Sequence, residues 1–356
     1  MEKGLNWRSL LLLLSLSALF AFLSPDQEIM LHAFLTTQEE SEEPFTAEHE
    51  LDVYVDGKLL SSPGLSAEGE AKHYAPAAEF LDALDKDFWA GETLHCATIS
   101  YAGRDFLCIE DFCAAQGISL YREADDSKLW CTSAAGDWNV PQGYRVPVLM
   151  YHGVGDNLRP GAELVVAAES LDAQLALLRE RGYTPIWFED LKHVDQIEKP
   201  VLLTFDDGYR DNYTELFPLL QKYRMKATLF IVSGYLDSPH NVNREQILEM
   251  QASGLVSIQC HTQYHPDLDT LSAELQEEEL CWSKVELLKL TNKEPYVVAY
   301  PRGRQNEETL RICRKDYRFG VKMGGPAYVT GDDPLLIHRI GIYRSTTPEE
   351  FAARFP

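Results

Sequence analysis

Two adjacent carboxylates follow an apolar run in the stretch VLLTFDDG, residues 201–208. The run is typical of a buried strand, and Asp206 and Asp207 come directly after it. Neighbouring residues of a strand point to opposite sides, so the two acids can have two different roles. Two carboxylates this close repel each other unless a cation or a proton lies between them. The alternative interpretation is an Asx turn in which Gly208 has a positive φ angle.

Two histidines four residues apart follow a second strand-like run, in the stretch SIQCHTQYHPDL. His261 and His265 can together bind one divalent metal, either on a helical turn or in a tight loop. Pro266 disfavours helical geometry at His265, and therefore predicts an extended residue within a loop. Together with the acidic pair, the histidines predict a metal site of two imidazoles and one carboxylate, which leaves positions open for water and substrate.

Two further motifs also lie where strand-like runs end. PVLMYHGVGD, residues 147–156, places His152 at a strand edge directly before a glycine. Alone, His152 is equally well interpreted as a hydrogen-bonded structural histidine. VVAYPRG, residues 297–303, ends in Pro-Arg-Gly, which alone indicates only a turn. In α/β folds, catalytic groups cluster where strands end and loops begin, and His152 lies at such a point.

Strand-like and helical segments alternate along residues 146–356. The strand-like runs are VLMY, TPIWF, VLLTF, ATLFIV, VSIQC, YVVAY and LIHRIGI. The segment SLDAQLALLRERG is helical in pattern, with Leu171, Leu175 and Leu178 on one face, Ser170 placed to cap it and Gly182 placed to end it. Such alternation over about 200 residues predicts a parallel sheet, either open or closed into a barrel.

The composition is that of an acidic globular protein. The 356 residues include 32 Lys and Arg against 56 Asp and Glu, a formal net charge of −24. This charge repels nucleic acid and anionic lipid, so we expect no nucleic-acid partner and favour a neutral or amino-bearing substrate. Seven cysteines cannot all pair within one chain, and the sequence leaves open whether any form disulfides.

The amino-terminal segment indicates export. Lys3 and Arg8 flank the start of an apolar run, residues 10–23, which is short for a membrane span of about 20 residues. No clean small-x-small cleavage site follows it. We interpret residues 1–24 as a signal peptide or a signal anchor, rather than as a buried helix of a cytosolic protein. The body of the protein is then extracellular, or anchored to the outer face of the cytoplasmic membrane.

A small domain is predicted between this segment and the alternating region. Residues 25–50 hold six glutamates in their last twelve positions and predict an acidic linker. Residues 51–135 follow with strand-like and helical runs and a hairpin signal at Asp56-Gly57. This order is similar to the N-terminal domain of copper amine oxidases, which implies a small α+β spacer or wall-contact domain without copper chemistry.

The motifs TFDDG, HTQYHP and AYPRG resemble those of the polysaccharide deacetylase family, also called the NodB homology domain or carbohydrate esterase family four. The resemblance covers residues 146–356 and implies a distorted (β/α) barrel that hydrolyses acetyl groups from N-acetylated sugars. It implies that Asp206 is the general base and that Asp207, His261 and His265 bind a divalent metal, usually zinc. It also implies that the backbone N–H of Arg302 donates to the developing oxyanion.

A general acid must also protonate the leaving amine. The main family branch carries this acid in a late Leu-x-His motif, which His338 matches, but it also has an arginine where this chain has Ala299. In the alternative interpretation, His338 is a histidine within a strand and Arg339 is solvated or paired. The poly-N-acetylglucosamine deacetylase branch is circularly permuted and has the acid in a first-strand PVLxYH pattern. PVLMYH resembles it, which favours His152, with His338 as the alternative acid.

These observations predict an exported, metal-dependent deacetylase that acts on an N-acetylglucosamine polymer of a biofilm or cell wall. Two other functions stay open, a non-catalytic glycan-binding or cell-wall scaffold protein and a metal amidohydrolase of a non-sugar amide. The filled ligand and base positions argue against the scaffold. The sequence does not select the glycan or its linkage, although Trp282 and Tyr264 can stack on a sugar.

Overall fold

The computed structural model describes residues 46–55, 58–67, 72–84, 96–116, 118–122, 127–132, 138–156 and 162–355. The predicted signal segment, residues 1–24, lies outside these ranges, as do the greater part of the predicted linker and the Asp56-Gly57 turn. Among the helices within the described ranges, none is long and apolar enough to cross a membrane.

In its described residues, the amino-terminal domain is a mixed sheet with two helices. The sheet has the order β5-β6-β4-β3-β1-β8-β7, with β2 paired to β1. Phe80 and Phe112, one from each helix, pack edge to face with ring centroids 5.3 Å apart. The elements are β1 (Ala47–Val55), β2 (Lys58–Leu59), β3 (Gly64–Ala67), β4 (His73–Pro76), α1 (Ala77–Ala83), β5 (Thr98–Tyr101), β6 (Arg104–Cys108), α2 (Ile109–Gln116), β7 (Ser119–Arg122) and β8 (Lys128–Thr132).

Strand β1 begins at Ala47, inside the region predicted as an acidic linker. Ala47 pairs with Ala67 of β3, so the last residues of the predicted linker are part of the sheet. Glu48 and Glu50 alternate with less exposed residues and face solvent, so an acid-rich segment can form part of a folded sheet. The similarity of this domain to the copper amine oxidase module stays a prediction.

The second domain alternates strands and helices. Its strands are β9 (Arg145–Val146), β10 (Val148–Tyr151), β11 (Gly153–Val154), β12 (Val165–Val166), β13 (Thr184–Ile186), β14 (Pro200–Phe205), β15 (Ala227–Ile231), β16 (Val256–Cys260), β17 (Val297–Ala299), β18 (Phe319–Met323), β19 (Tyr328–Val329) and β20 (Ile337–Gly341). Its α-helices are α3 (Ala168–Glu180), α4 (Phe217–Tyr223), α5 (Arg244–Ala252), α6 (Ala273–Thr291), α7 (Glu307–Asp316) and α8 (Pro348–Ala353). Short 3₁₀ or π turns are Ala162–Leu164, Phe188–Gln196, Asn212–Leu216, Ser233–Tyr235, Leu268–Thr270 and Pro301–Gly303.

Seven parallel strands close into a barrel, which confirms the predicted (β/α) barrel. They follow the order β10-β20-β18-β17-β16-β15-β14, and β14 pairs back with β10. Closure is seen at β10, where Tyr151 pairs with Phe205 of β14 and Leu149 pairs with Ile340 of β20. Because all seven strands run in one direction, their carboxyl ends meet at one rim, and the loops that follow β10, β14, β16 and β17 lie there.

Helix α3 shows what the sequence pattern predicts well and what it predicts poorly. Leu171, Leu175 and Leu178 are fully buried against the barrel, as predicted. Gly182 has a φ of 74° just beyond the helix end, as its predicted role requires. Ser170, however, is not the cap, because the helix begins at Ala168 and no side chain caps it.

Strand β18 was not among the predicted runs, because Arg318 and Lys322 and the glycine between them interrupt its apolar pattern. All seven cysteines are free thiols, and six of them are buried.

Candidate metal and active site

Strand β14 delivers the two carboxylates to the barrel rim. Every residue of the strand is buried, as the apolar run predicts. The N–H of Asp206 donates to the carbonyl of Tyr151 at 3.0 Å, which continues the pairing of β14 with β10. Asp207 then has a φ of 70°, a left-handed geometry that is uncommon for a residue with a side chain. This turn directs the two carboxylates differently, so that they take part in different contacts.

Gly208 follows with a φ of 61°, as the alternative turn interpretation requires. A Cβ atom at this position would lie 2.8 Å from the Cδ1 of Ile231, so a larger residue would also crowd the end of that side chain. The turn interpretation and the active-site interpretation of TFDDG are therefore compatible, because the positive φ angles of the turn place the two acids at the barrel rim.

His261 and His265 lie in a loop after β16, as predicted. The Nδ1 of His261 donates to the carbonyl of Ala299 at 2.7 Å, which leaves its Nε2 free to face the acids. The prediction of extended geometry at His265 is wrong, since its φ is 60°. The N–H of His265 donates to the Oγ1 of Thr262 at 3.0 Å, and Thr262 has a φ of 62°. The positive φ angles at these two residues turn the loop so that the two imidazoles lie together, with ring centroids 4.8 Å apart.

Asp207, His261 and His265 form one cluster of donor atoms. The Oδ1 of Asp207 lies 3.5 Å from the Nε2 of His261 and 3.6 Å from the Nε2 of His265. One donor atom from each residue lies within 4.8 Å of the others. Donors about 2.0–2.2 Å from a tetrahedral metal are separated by roughly 3.3–3.6 Å. The spacing and the imidazole–imidazole–carboxylate set therefore fit zinc or a similar divalent ion.

The protonation states of two of these donors also suit a cation. Burial alone would raise the pKa of Asp207, but hydrogen bonding to His261 and the charges of the neighbouring histidines hold it well below its usual range. Burial, with the charge of His261, lowers the pKa of His265 to about 4. At neutral pH Asp207 is therefore ionised and His265 is neutral, as metal ligands must be.

Asp206 is not part of this donor set and instead pairs with a buried arginine. Arg339 of β20 donates to both carboxylate oxygens of Asp206, at 2.6 and 2.7 Å, and also donates to the Oγ1 of Thr204 at 3.1 Å. Burial alone would raise the pKa of Asp206, but the Arg339 guanidinium, followed by His261, lowers it below its usual range. Asp206 therefore remains an ionised acceptor in the interior.

His152 lies beside Asp206, whereas His338 does not. The Nε2 of His152 is 3.8 Å from the Oδ2 of Asp206, and the side chain is almost fully buried. His338 precedes Arg339 on β20 and so points to the other side of the strand. Its Nδ1 donates to the carbonyl of Gly324 at 2.7 Å, and its ring lines a separate cavity of about 280 Å³ with Tyr328 and other residues.

Two side chains of the loop after β14 form hydrogen bonds with the main chain at His152 and just beyond it. Asn212 is fully buried and donates from its Nδ2 to the main-chain carbonyl of His152 at 2.8 Å. Asp211 accepts from the N–H of Val154 at 3.1 Å. These contacts fix the strand end that carries His152. Neither residue can be recognised from the sequence, because nothing in the chain near them indicates a partner about 60 positions away.

Arg302 lies in the short turn after β17, with a φ of 54°. The hydrogen bonds of this turn come from Gly303 to the carbonyl of Tyr300 and from Arg304 to that of Pro301, and neither uses the N–H of Arg302. The Arg302 guanidinium is exposed and donates to Asp267 at 2.6 Å. That contact ties the Pro-Arg-Gly turn to the loop that carries His265.

Comparison with known proteins agrees with this arrangement. The family model described as "Polysaccharide deacetylase" matches residues 193–319. The Bacillus subtilis (strain 168) protein YxkH, named as a polysaccharide deacetylase, is 30% identical over 244 residues, which cover 67% of this chain and 83% of that protein. The Staphylococcus aureus (strain MSSA476) poly-beta-1,6-N-acetyl-D-glucosamine N-deacetylase is 28% identical over 160 residues, 40% of this chain and 54% of that protein.

A solved structure shows the same similarity in three dimensions. The Streptococcus pyogenes deacetylase PplD, determined in complex with acetate, superposes with a TM-score of 0.57 at 32% identity. The superposition covers 60% of this chain and 99% of that one, and so leaves out a part of this chain the size of the amino-terminal domain and the segments before it. The chain therefore belongs to the polysaccharide deacetylase family of hydrolases.

Proposed function

We propose that this protein is an exported, metal-dependent hydrolase that removes acetyl groups from the N-acetylglucosamine units of a biofilm or cell-wall polysaccharide. The observation that carries the proposal is that three kinds of group meet at one rim of the barrel. These are an Asp–His–His donor set, a second carboxylate that stays ionised, and a buried histidine outside the donor set. Amide hydrolysis needs all three, because the carbonyl, the water and the leaving amine must each be activated.

The donor set of Asp207, His261 and His265 would hold a divalent metal, and zinc suits it best. When bound, such an ion polarises an amide carbonyl and lowers the pKa of water. The chain's own contribution is to hold the two histidines in place without the ion. His261 is fixed by its bond to the Ala299 carbonyl, and the His265 backbone is fixed by Thr262.

Asp206 is the proposed general base. Arg339 stabilises the ionised form of its carboxylate. Its Oδ2 lies 3.8 Å from the Nε2 of His152 and 3.9 Å from the Nε2 of His261. This oxygen therefore lies between the donor set and His152. A water molecule that attacks the amide carbonyl at this point gives its proton to Asp206.

His152 is the proposed general acid. Burial lowers the pKa of His152 despite the charges of Asp206 and Asp207, so the imidazole does not hold a proton of its own strongly. We infer that it receives the proton that Asp206 takes from water. A movement of less than about 1 Å would bring the two groups within the usual hydrogen-bond reach of about 2.6–3.2 Å. His152 then passes the proton to the leaving amine, and the Arg302 N–H donates to the oxyanion.

The substrate class rests on the relatives. The S. aureus relative is named for poly-beta-1,6-N-acetyl-D-glucosamine, although the match spans only about half of that protein. The strong negative charge of this chain suits a glycan that gains amino groups as it is deacetylated. Export rests on the signal-like residues 1–24, and fractionation of cells that express the full chain tests it.

Acetate release is the direct test of the activity. The purified full chain, loaded with zinc or cobalt, is incubated with N-acetylglucosamine oligomers of several linkages, with and without a chelator. We expect chelator-sensitive release, and we expect Asp206→Asn to bind metal without activity. Release that is absent for every linkage, or that survives chelation, contradicts the proposal. Glycan binding without release would instead support a scaffold role, and release from non-sugar amides alone would support an amidohydrolase.

A further inference from the structure

Two exposed tyrosines lie on neighbouring loops at the rim that carries the donor set. Tyr235 is 41% exposed and follows β15, and Tyr264 is 57% exposed and directly precedes His265. The hydroxyl of Tyr235 donates to the main-chain carbonyl of Tyr264 at 3.1 Å. Consecutive Cα atoms are about 3.8 Å apart, so Tyr264 lies next to a proposed metal ligand. None of the groups proposed for the chemistry includes either ring.

The two loops that carry these rings are paired beyond the ends of their strands. Ile231 and Cys260 are the last paired residues of β15 and β16. The N–H of Ser233 then donates to the carbonyl of Thr262 at 3.2 Å, and the N–H of Gly234 donates to that of Gln263 at 2.8 Å. The next contact between these loops is the side-chain bond from the Tyr235 hydroxyl to the Tyr264 carbonyl. The loops that follow β15 and β16 are therefore joined by hydrogen bonds up to the two tyrosines.

The ring of Tyr264 packs on a glycine, and the main chain that carries the ring is held by hydrogen bonds. A Cβ atom on Gly234 would lie 2.4 Å from a ring carbon of Tyr264, so the ring lies directly on the backbone of this glycine. The N–H groups of Gln263 and Tyr264 both donate to one carboxylate oxygen of Glu279, at 2.9 and 2.8 Å. A ring that is fixed on one face and exposed on the other loses little conformational entropy when it binds a ligand.

We propose that Tyr235 and Tyr264 form an aromatic platform that binds a sugar unit next to the one whose acetyl group is removed. The apolar C–H face of a pyranose ring packs on the electron-rich face of an aromatic ring. The hydroxyl and acetamido groups of the sugar stay in contact with water at its edges. The platform would make the enzyme select a chain of sugars over a single N-acetylglucosamine. This inference rests on the proposed function and deepens it.

The test is the dependence of kcat/KM on chain length, measured with metal-loaded full-length protein. The substrates are N-acetylglucosamine oligomers from one to six units and, as a substrate without sugar rings, a chromogenic acetyl ester. For Tyr264→Ala we expect a loss of about tenfold in kcat/KM on the longer oligomers, the size expected for one stacked ring. We expect a change of less than about twofold on the ester and the single sugar, and near-normal values for Tyr264→Trp.

Tyr144→Ala is the matched control, because Tyr144 is 39% exposed and precedes β10 at the opposite end of the barrel. It should leave the chain-length dependence unchanged. A Tyr264→Ala enzyme that keeps the wild-type dependence overturns the platform, and so does an equal loss on every substrate, which would indicate damage to the His265 loop. If the wild-type protein releases no acetate from any oligomer, the proposed function itself fails, and that result is distinguishable from both.

Discussion

Arg339 and Asp206 form a bidentate ion pair inside the barrel, with N–O distances of 2.6 and 2.7 Å. Both side chains are almost completely buried. Arg339 comes from β20 and Asp206 from the end of β14, and β10 lies between these two strands where the barrel closes. The pair therefore joins the last strand of the barrel to the proposed base. Removal of one partner of such a pair typically costs about 3–5 kcal/mol, because the other charge stays buried.

The first prediction is that Arg339→Gln shifts the acidic limb of the kcat/KM profile to higher pH. Asp206 acts as a base only when ionised, so its contribution is present above its pKa and is lost as the pH falls through that value. In the wild-type protein Arg339 keeps this pKa below the ordinary value of about 3.9. Without the guanidinium, burial dominates and raises the pKa, and we expect the limb to move up by about one to three pH units.

Arg339→Lys is the control for this prediction, because it keeps a positive charge but loses the bidentate geometry. We expect its acidic limb to lie between those of the wild type and Arg339→Gln. Metal content and the free energy of unfolding are measured for both variants, so that a folding defect is recognised. An Arg339→Gln enzyme that folds, binds metal and has an unshifted limb would show that Arg339 does not set the charge of the base.

The second prediction separates the two candidate acids. His152→Ala should lower kcat by at least about a hundredfold, because the leaving amine loses its proton donor, while metal content stays normal. His338→Ala should change kcat by no more than a few fold, since His338 points away from Asp206 and bonds to Gly324. Steady-state kinetics and metal analysis of both variants check this. The reverse order of effects would assign the acid to His338 and would favour the main-branch arrangement.

The motifs of this site could be predicted from the sequence, but its contacts could not. TFDDG, HTQYHP and AYPRG each stand at the end of an apolar run, and a run that ends in polar residues indicates a strand end whatever the topology. From the sequence alone, Arg339 can be either solvated or paired, since its partner is 133 positions away and the two meet only because the barrel closes. The one local sign was a charged residue inside the apolar run LIHRIGI.

The backbone at His265 was mispredicted for a different reason. The residue before a proline is normally extended, and Pro266 supports that expectation. The structure instead has a positive φ at His265, and the bond from its N–H to Thr262 helps to hold it. Local preferences of about 1–3 kcal/mol are commonly overridden at functional sites, where the surrounding contacts determine the backbone.

The third prediction concerns metal binding. Zinc should raise the Tm of the wild-type protein, because an ion that binds only the folded state stabilises it by mass action. In Asp207→Ala or His265→Ala we expect this increase to be lost, together with bound metal and activity. Calorimetry with and without zinc measures it, and Asp206→Asn is the matched control. That variant changes the neighbouring carboxylate and should keep most of the zinc-dependent increase. Equal zinc responses in all four proteins would show that the metal binds elsewhere.

The fourth prediction concerns Asn212, whose side chain holds the main chain of His152. Asn212→Ala leaves a buried carbonyl without its donor, which typically costs about 1–3 kcal/mol of stability. It also frees the strand end that carries the proposed acid, so we expect kcat to fall by about tenfold or more with little change in KM. Kinetics and chemical denaturation are measured on the same preparation.

Asn243→Ala distinguishes this positioning role from a general loss of stability. Asn243 caps helix α5 by accepting from the N–H of Gln246 at 2.8 Å, and loss of such a cap costs about 1 kcal/mol. Its helix packs on the outside of the barrel, so Asn243→Ala should be destabilised to a similar extent and keep its kcat. If the two variants lose kcat equally, the effect follows stability alone. If only Asn212→Ala loses it, and the midpoint of its acidic limb is unchanged, Asn212 acts through the position of His152 and not through the charge of Asp206.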